Sequence, residues 1–354
     1  MMSFIDLEVQ SIIKRDWIKT FEGKKILITG ASGLICNYLV ALFRNISFEL
    51  QGNIDVHLVA RSTLDYSSSR FTPSVHFLDL TELEDADLQS WPDFDFVVHG
   101  ATYGQPQRFL NAPLETVILN SQTVWKLLKK LKTDGTFLFL SSSEVYSGLR
   151  TSPFKEDQIG TTNTDHPRSP YIEAKRIGEC ILNIHGKEFS DSRVISARIA
   201  LTYGPGFREN DTRVLNQFIT QALKTGSIRM KDSGKALRTY CYILDSAEIL
   251  IELLVHAKSG IYNVGGTSKT SILDLARVIS KLTESSLEVP QDVPQALLGA
   301  PDDVSLDLEK TLALTGKTKF IDLNDGLGRT VEWAKKYLFG DATNNPSLRV
   351  DSIE

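Results

Sequence analysis

Six short runs rich in β-branched and aromatic residues recur through the first part of the chain, at 25–29, 56–60, 75–78, 94–99, 136–140 and 193–197. Between most of them lie stretches of helical spacing, at about 33–46, 81–90, 112–132 and 171–189. That alternation leaves few folds open. The runs are apolar almost throughout rather than at every second residue, so both of their faces must be covered. Strands buried on both faces and separated by helices build a parallel sheet with helices packed on either side.

Beyond residue 200 the rhythm loosens. Helical spacing falls at about 211–224, 244–257, 271–283 and 324–338, with turns at Gly204-Pro205-Gly206 and Gly265-Gly266. Two α/β units are expected: a larger one over 24–200, and a smaller one from 201–237 and 266–340 interleaved with it. The run 238–244 reads as a further strand, so 238–265 is assigned back to the first unit. Residues 5–22 carry apolar side chains at helical spacing and predict one amphipathic helix, a helical extension over 1–23. Residues 341–354 read as a polar tail.

A chain of 354 residues can bury one large core or two unequal ones. Its formal net charge of −5 lacks the basic footprint of a nucleic-acid-binding protein. No apolar stretch approaches the ~18 residues of a membrane span, and the N-terminus lacks the basic-then-apolar order of a signal peptide. Cys36, Cys180 and Cys241 are odd in number and widely spaced, and the six histidines contain no H-x-x-x-H pair. These features predict reduced thiols in a cytoplasmic protein, with no disulfide framework and no metal site. Nucleic acid and membrane are not expected as partners.

The first run leads straight into Gly30-Ala31-Ser32-Gly33-Leu34-Ile35-Cys36, and a helix follows. A glycine turn between a first strand and a helix lets backbone amides approach a pyrophosphate at the helix N-terminus. The first unit therefore reads as a doubly wound, dinucleotide-binding Rossmann domain, with Gly30, Ser32, Gly33, Leu34 and Ile35 at the phosphates. Cys36 stands where the usual pattern has a third glycine, and its small apolar side chain is compatible with close helix–strand packing. An acidic residue at the end of the second run would bind the adenosine ribose and mark NAD; here Ala60, Arg61 and Ser62 stand there. Arg61 can pair with a 2′-phosphate, so NAD and NADP both stay open. Asp79 and Leu80 close the third run on the adenine side, and His99-Gly100-Ala101-Thr102 closes the fourth, near the pyrophosphate by strand order.

Tyr171 and Lys175 have Y-x-x-x-K spacing, with Ser142 upstream in Phe139-Leu140-Ser141-Ser142-Ser143-Glu144-Val145-Tyr146. On a helix, i and i+4 lie on one face. A nearby ammonium favours the phenolate, which would bring a phenol of ordinary pKa ~10 into use as a base. A serine hydroxyl facing the same point can share the proton of an alcohol. Together the three groups suit the movement of a proton off or onto a carbinol while hydride leaves or arrives.

With those residues placed, and with Arg168-Ser169-Pro170, Glu173, Arg176, Arg198, Thr202-Tyr203-Gly204-Pro205 and Arg238-x-Tyr240-x-Tyr242-x-x-Asp245 added, the chain resembles the extended short-chain dehydrogenase/reductase family. The resemblance covers about residues 24–338 and lies in the nucleotide-sugar epimerase, dehydratase and decarboxylase branch. It implies a tightly held nicotinamide cofactor and a C-terminal domain that grips a nucleoside diphosphate sugar. It implies that Tyr171 takes the proton of the sugar 4-hydroxyl, that Lys175 binds the nicotinamide ribose and holds Tyr171 ionised, and that Ser142 hydrogen-bonds the same oxygen. Asn120 falls at a structural Asn on a central helix. Arg168, Tyr203, Arg213 and Arg238 fall on the substrate side, Arg238 at a basic residue that commonly faces the sugar-nucleotide pyrophosphate, for which a planar guanidinium is suited. Helices 112–132 and 171–189 form a four-helix interface in resembling proteins, so a homodimer is expected.

Three outcomes follow from a C4 ketone: epimerisation, loss of water across C5–C6, or loss of a C6 carboxylate as carbon dioxide. Resembling dehydratases place an Asp-Glu pair after the catalytic Ser/Thr. Here Ser143-Glu144 keeps the base, Glu144, and puts at the acid position a hydroxyl that donates a proton poorly. The Ser-Glu-Val-Tyr order looks more like UDP-glucuronate decarboxylases. Those carry an arginine near the substrate carboxylate in an Arg-Lys-Pro stretch, however, and the corresponding 298–303 has Asp302, Asp303 and no cation. Leu201 stands where that group often has Asn. C4 epimerisation needs only Ser142, Tyr171, Lys175 and the cofactor, and ranks first. A decarboxylase-like or 4,6-dehydratase-like lyase is the alternative, followed by a keto-sugar reductase or dehydrogenase and a cofactor-sensing binding protein.

Overall fold

The computed structural model describes residues 3–61, 71–290 and 303–340. Ser62, the stretch 298–302 and the tail 341–354 lie outside the described residues, as does the side chain of Asp303. Two short helices, α1 (Phe4–Gln10) and α2 (Arg15–Phe21), precede the first strand. The single helix expected over 5–22 is therefore two. Ser11 ends α1 by donating its hydroxyl to the Glu8 carbonyl at 2.6 Å, a local bond that competes with helix continuation, and Lys14 is extended before α2. The pair is built into the core. Trp17 and Phe21 are fully buried, Phe21 meets Phe43 and Phe96 at ring-centroid distances of 5.0 and 4.9 Å, and the Glu8 carboxylate accepts from the Tyr38 and Tyr242 hydroxyls at 2.6 Å each.

Next come β1 (Lys25–Thr29), α3 (Leu34–Glu49), β2 (Asp55–Ala60), β3 (Ser74–Phe77), α4 (Asp85–Gln89), β4 (Phe94–His99), α5 (Pro106–Asn111), α6 (Pro113–Asn120), α7 (Gln122–Leu128), β5 (Leu131–Ser142), α8 (Ser169–Glu188) and β6 (Arg193–Ile199). Then follow β7 (Leu201–Tyr203), α9 (Val214–Thr225), β8 (Ser227–Arg229), β9 (Leu237–Tyr242), α10 (Ile243–His256), β10 (Gly260–Val264), β11 (Ser268–Ser271), α11 (Ile272–Thr283), β12 (Ser286–Glu288), β13 (Asp303–Val304), α12 (Glu309–Thr315) and α13 (Leu323–Trp333).

Seven strands form one parallel sheet in the order β10-β6-β5-β4-β1-β2-β3, the α/β architecture that the alternation calls for. Successive residues of a strand point to opposite faces. Ile26, Ile28, Leu138 and Leu140 join one apolar core with α3 and α10, while Leu27, Phe137 and Phe139 join a second with α7. The strand order reverses between β1 and β4, and the crevice at the carboxyl ends of strands there is where such sheets bind ligands.

Two expectations need correction. The helix expected over 112–132 is broken: a residue before proline is pushed out of the helical region, and Ala112 (φ −132°, ψ 63°) separates α5 from α6. Ser121 (φ −123°, ψ −79°) separates α6 from α7, and residues from Leu131 onward are strand. The run 238–244, read as a further strand and assigned with 238–265 to the first unit, is the strand β9, but it pairs with β7, β11 and β13 in a sheet separate from the seven-stranded one. The strand that does return is β10, parallel to β6 at the sheet edge.

Candidate active site

The carboxyl ends of β1, β4 and β5 open onto a cavity of about 430 Å³. Gly30 and Gly33 form its floor with Ser32. Gly30 has φ +71°, and a Cβ there would come within 2.7 Å of the backbone of Gly100 and Ala101, so the turn requires glycine on both counts. α3 begins at Gly33 without a side-chain cap. Its first-turn amides have no partner within the helix, and Leu34 and Ile35 of that turn line the cavity. An unpaired helix N-terminus facing a cleft is a seat for phosphate, so the residues present fit the pyrophosphate of a dinucleotide.

Cys36 fits because Gly100 opposes it. A Cβ at Gly100 would lie 2.3 Å from Cys36 Sγ, so the bulk added at the third-glycine position is accommodated by the glycine at the end of β4. Gly100→Ala should therefore weaken dinucleotide binding by about tenfold or more, and adding Cys36→Gly should restore much of it. Titration calorimetry of the single and double variants with NAD measures this; additive losses would mean the two positions do not share space.

At the ends of β2 and β3, Arg61, Asp79 and Leu80 line the same cavity. Arg61 donates to the Tyr103 hydroxyl at 3.0 Å and lies 3.8 Å from the Asp79 carboxylate. Asp79 also accepts from the amide and hydroxyl of Thr81, at 2.9 and 2.8 Å.

Gly100, Ala101 and Thr102 line the cavity after β4, held from beneath by His99. The Leu119 carbonyl can only accept, so His99 Nε2 donates to it at 2.8 Å and Nδ1 accepts from the Thr29 hydroxyl at 2.7 Å. Thr29 in turn accepts from the Ala101 amide at 3.2 Å. Burial pushes His99 down to about 3, which keeps it neutral. Asn120 is buried behind this layer, donating to Thr102 Oγ1 at 2.9 Å and to the Thr116 carbonyl at 2.7 Å.

At the other end, the last residue of β5, Ser142, and the 3-10 turn after it, carrying Ser143 and Glu144, face the cavity, and the first turn of α8 delivers Tyr171, with Arg168 at its cap. Ser142, whose hydroxyl accepts from the Glu144 amide at 3.2 Å, lies close enough to the Tyr171 phenol to draw its pKa down. Arg168 clamps Glu144 through two bonds, at 3.1 and 2.6 Å. Phe109 of α5 stacks on the Tyr171 ring at 4.7 Å and 14°, and the Arg168 guanidinium lies 5.2 Å from the Phe109 ring centroid. Sequence reasoning missed Phe109, because an apolar residue on a helix carries no signal of what it stacks against.

The electrostatics of Tyr171 differ from the expectation that Lys175 eases its ionisation. Burial pushes the phenol up to about 12; the Ser142 hydroxyl opposes this, Glu144 adds to it, and Arg168 and Arg213 draw it down. Lys175 lies beneath the cavity rather than in its lining, only 1 % exposed. Its Nζ donates to the Leu140 carbonyl at 2.6 Å and sits 5.8 Å from the Tyr171 ring. Burial pulls Lys175 down to about 7, with Glu179 the main opposing charge. A lysine so desolvated is only partly charged at neutral pH, and its ammonium is committed to a carbonyl.

Of the substrate-side residues, Arg168 and Arg213 line the cavity, while Tyr203 and Arg238 do not. Tyr203 is buried against Tyr240 and Tyr242 with its hydroxyl 3.5 Å from the Leu323 carbonyl, so it packs the second sheet. Arg238 sits on β9 and donates to the Leu237 carbonyl at 2.7 Å. The segment between β7 and α9 supplies what was missed. Arg208 reaches across to the Ser32 carbonyl at 3.2 Å, and Asp211 holds Arg213 through Nε at 3.0 Å and through a second guanidinium nitrogen. The charge-rich run Arg208-Glu209-Asn210-Asp211-Thr212-Arg213 after a Gly-Pro-Gly turn was a usable signal for it.

A family model described as "NAD dependent epimerase/dehydratase family" matches residues 26–265. The chain is 29 % identical over 330 residues to UDP-glucuronic acid decarboxylase 1 of Xenopus tropicalis, covering 91 % of this chain and 74 % of that one. To UDP-glucuronic acid decarboxylase 6 of Arabidopsis thaliana it is 28 % identical over 311 residues, covering 86 % of each. Among solved structures, the Bordetella bronchiseptica enzyme WbmF in complex with NAD+ superimposes with a TM-score of 0.71 at 25 % identity, over 90 % of this chain and 94 % of that one.

Proposed function

From the premise that this chain belongs to the NAD-dependent epimerase/dehydratase family, we propose that it oxidises the C4 hydroxyl of a nucleoside diphosphate sugar and then acts as a lyase at C5–C6. A UDP-hexuronate losing carbon dioxide is the substrate and reaction it is best suited to. C4 epimerisation, ranked first on the sequence, gives way to this reading for two reasons. The relatives bear the name UDP-glucuronic acid decarboxylase. The observation that carries it is Glu144: a carboxylate lines the cavity beside Tyr171, clamped in place by Arg168. Inversion at C4 has no use for a fixed acid–base group there.

Gly30, Ser32, Gly33, Leu34 and Ile35 would hold the cofactor's pyrophosphate, Gly100–Thr102 would flank it, and Arg61, Asp79 and Leu80 would face its adenosine. The Arg61–Asp79 pair puts a carboxylate beside the guanidinium, which disfavours a 2′-phosphate and supports NAD. NAD, when bound, would supply the acceptor for the C4 hydride and the donor that gives it back. Tyr171 takes the 4-hydroxyl proton and Ser142 hydrogen-bonds that oxygen, while Lys175, buried beneath, holds the Leu140 carbonyl near the end of β5. Once C4 is a ketone, a C6 carboxylate is β to it. The C5–C6 bond can then break with its electron pair delocalised onto the C4 oxygen, and carbon dioxide leaves. Glu144 is the group placed to manage the proton that C5 then needs.

The test is incubation of the NAD-loaded protein with UDP-glucuronate and, separately, UDP-glucose, followed by product mass. A product lighter by one carbon dioxide supports the proposal. Loss of one water from either sugar, or unchanged mass with altered ring-proton couplings, would replace it by dehydration or epimerisation.

A homodimer belongs to the same proposal. Leu114 of α6, Trp125 of α7, and Ile177 and Ile184 of α8 are 74, 50, 42 and 48 % exposed, a concentration of large apolar side chains on neighbouring helices. Replacing Leu114 and Ile184 by Glu should convert a dimer to a monomer in light scattering. A wild-type monomer at micromolar concentration would end that part of the reading.

A further inference from the structure

A hexuronate carries one anion more than the neutral sugar of the same nucleotide, and that charge sits on the ring that must reach Tyr171. The cations at that end of the cavity are already engaged. Arg168 is clamped to Glu144 by two bonds, and Arg213 is clamped to Asp211. Each pair is neutral overall, so neither draws in a third anion; a carboxylate brought against Glu144 or Asp211 would be repelled. Arg61, at the far end, is paired with Asp79 and Tyr103, and Arg208 reaches Ser32 beside the phosphate turn.

Arg108 is different. It lines the same cavity, is partly buried, and its side chain makes no hydrogen bond or ion pair among the described residues. Its neighbour on α5, Phe109, is the ring stacked on Tyr171, which places this helix at the reaction end and not at the phosphate turn. A partly desolvated guanidinium with a planar, unused set of donors, facing the cavity where the sugar must sit, is matched to a carboxylate.

We propose that Arg108 supplies the counter-charge for the C6 carboxylate of the substrate and so distinguishes a hexuronate from the corresponding hexose. This rests on the UDP-hexuronate reading above. Arg108 is a specificity residue, not a proton carrier. Phe109 beside it holds the Tyr171 ring while Arg108 reads the acid.

Binding is measured by titration calorimetry on NAD-loaded protein in a Tyr171→Phe background, which slows turnover, with UDP-glucuronate, UDP-glucose and UDP as probes. With Arg108 intact, UDP-glucuronate should bind more tightly than UDP-glucose. Arg108→Gln should weaken UDP-glucuronate by about tenfold or more, the size of one charge-assisted contact, and leave UDP-glucose and UDP within about twofold. Arg108→Lys, which keeps the charge, should recover part of the loss. Equal weakening of all three probes would reassign Arg108 to the nucleotide pyrophosphate and overturn the proposal, as would no change in any. Should the protein with Arg108 intact bind UDP-glucuronate no better than UDP-glucose, the hexuronate reading itself fails and the Arg108 assignment falls with it. Since Arg108 has no side-chain partner to lose among the described residues, the substitution should not disturb folding, and an unchanged melting temperature checks this.

Discussion

Tyr171→Phe should lower turnover by roughly 10²–10⁴-fold, the range of a positioned acid–base group, in a protein that still folds and still binds NAD. The ring is buried and stacked on Phe109, so phenylalanine keeps the packing and loses only the hydroxyl. Ser142 retains its bond from the Glu144 amide, so no buried group is stranded. The pH dependence carries a sign. With the phenol held at about 12, mainly by burial, the phenolate is a small fraction at neutral pH and grows as pH rises. Wild-type turnover should therefore climb from neutral into alkaline pH, and the climb should vanish in Tyr171→Phe. Product formation measured across that range, with cofactor content measured on the same samples, tests both parts. A variant within tenfold of wild type would mean another group takes the 4-hydroxyl proton.

Glu144→Gln should be nearly as severe if the chemistry is at C5–C6, with a loss of about 10²-fold or more. Stability should change by less than about 1 kcal/mol, because both Glu144 and Arg168 are a third exposed and ion pairs so hydrated contribute little. The glutamine keeps one acceptor for Arg168. Glu144 itself raises the Tyr171 phenol, so its removal makes Tyr171 a readier base. A large loss therefore cannot be traced to Tyr171 and must come from Glu144's own role. Turnover close to wild type, with a product of unchanged mass, would return the protein to C4 epimerisation.

Much of the fold was legible because its determinants are local. Apolar runs without alternation announced buried parallel strands, and the turn Gly30-x-x-Gly33 announced the proposed phosphate seat, since a positive φ and a close backbone approach at Gly30 require glycine at that position. Local signals failed where two segments compete for one partner. β9 reads as a strand from its own residues, but its pairing with β7 and β11 rather than with β6 depends on chain far from it in sequence. Pro113 is a visible breaker within 112–132, yet the apolar spacing on either side of it outweighs that signal when periodicity alone is read.

The candidate site divides in the same way. Ser142, Tyr171 and Lys175 are recognisable from the sequence because spacing on one helix and one strand end brings them near each other. Their charge states are not. Whether Lys175 is an ammonium depends on how deeply β5 and α8 bury it, and whether Tyr171 is a phenol depends on Glu144, Arg168 and Arg213, which reach it from three separate segments. The sequence alone determined the sheet and the glycine turn, and singled out Ser142, Tyr171 and Lys175 as the groups proposed to move the proton, since each follows from periodicity or from a single residue's geometry. Only the tertiary structure decided which arginines are neutralised, that Phe109 stacks on Tyr171, and that Arg108 is left without a side-chain partner among the described residues. Desolvation and ion pairing are properties of what meets in space, and no spacing along the chain encodes them.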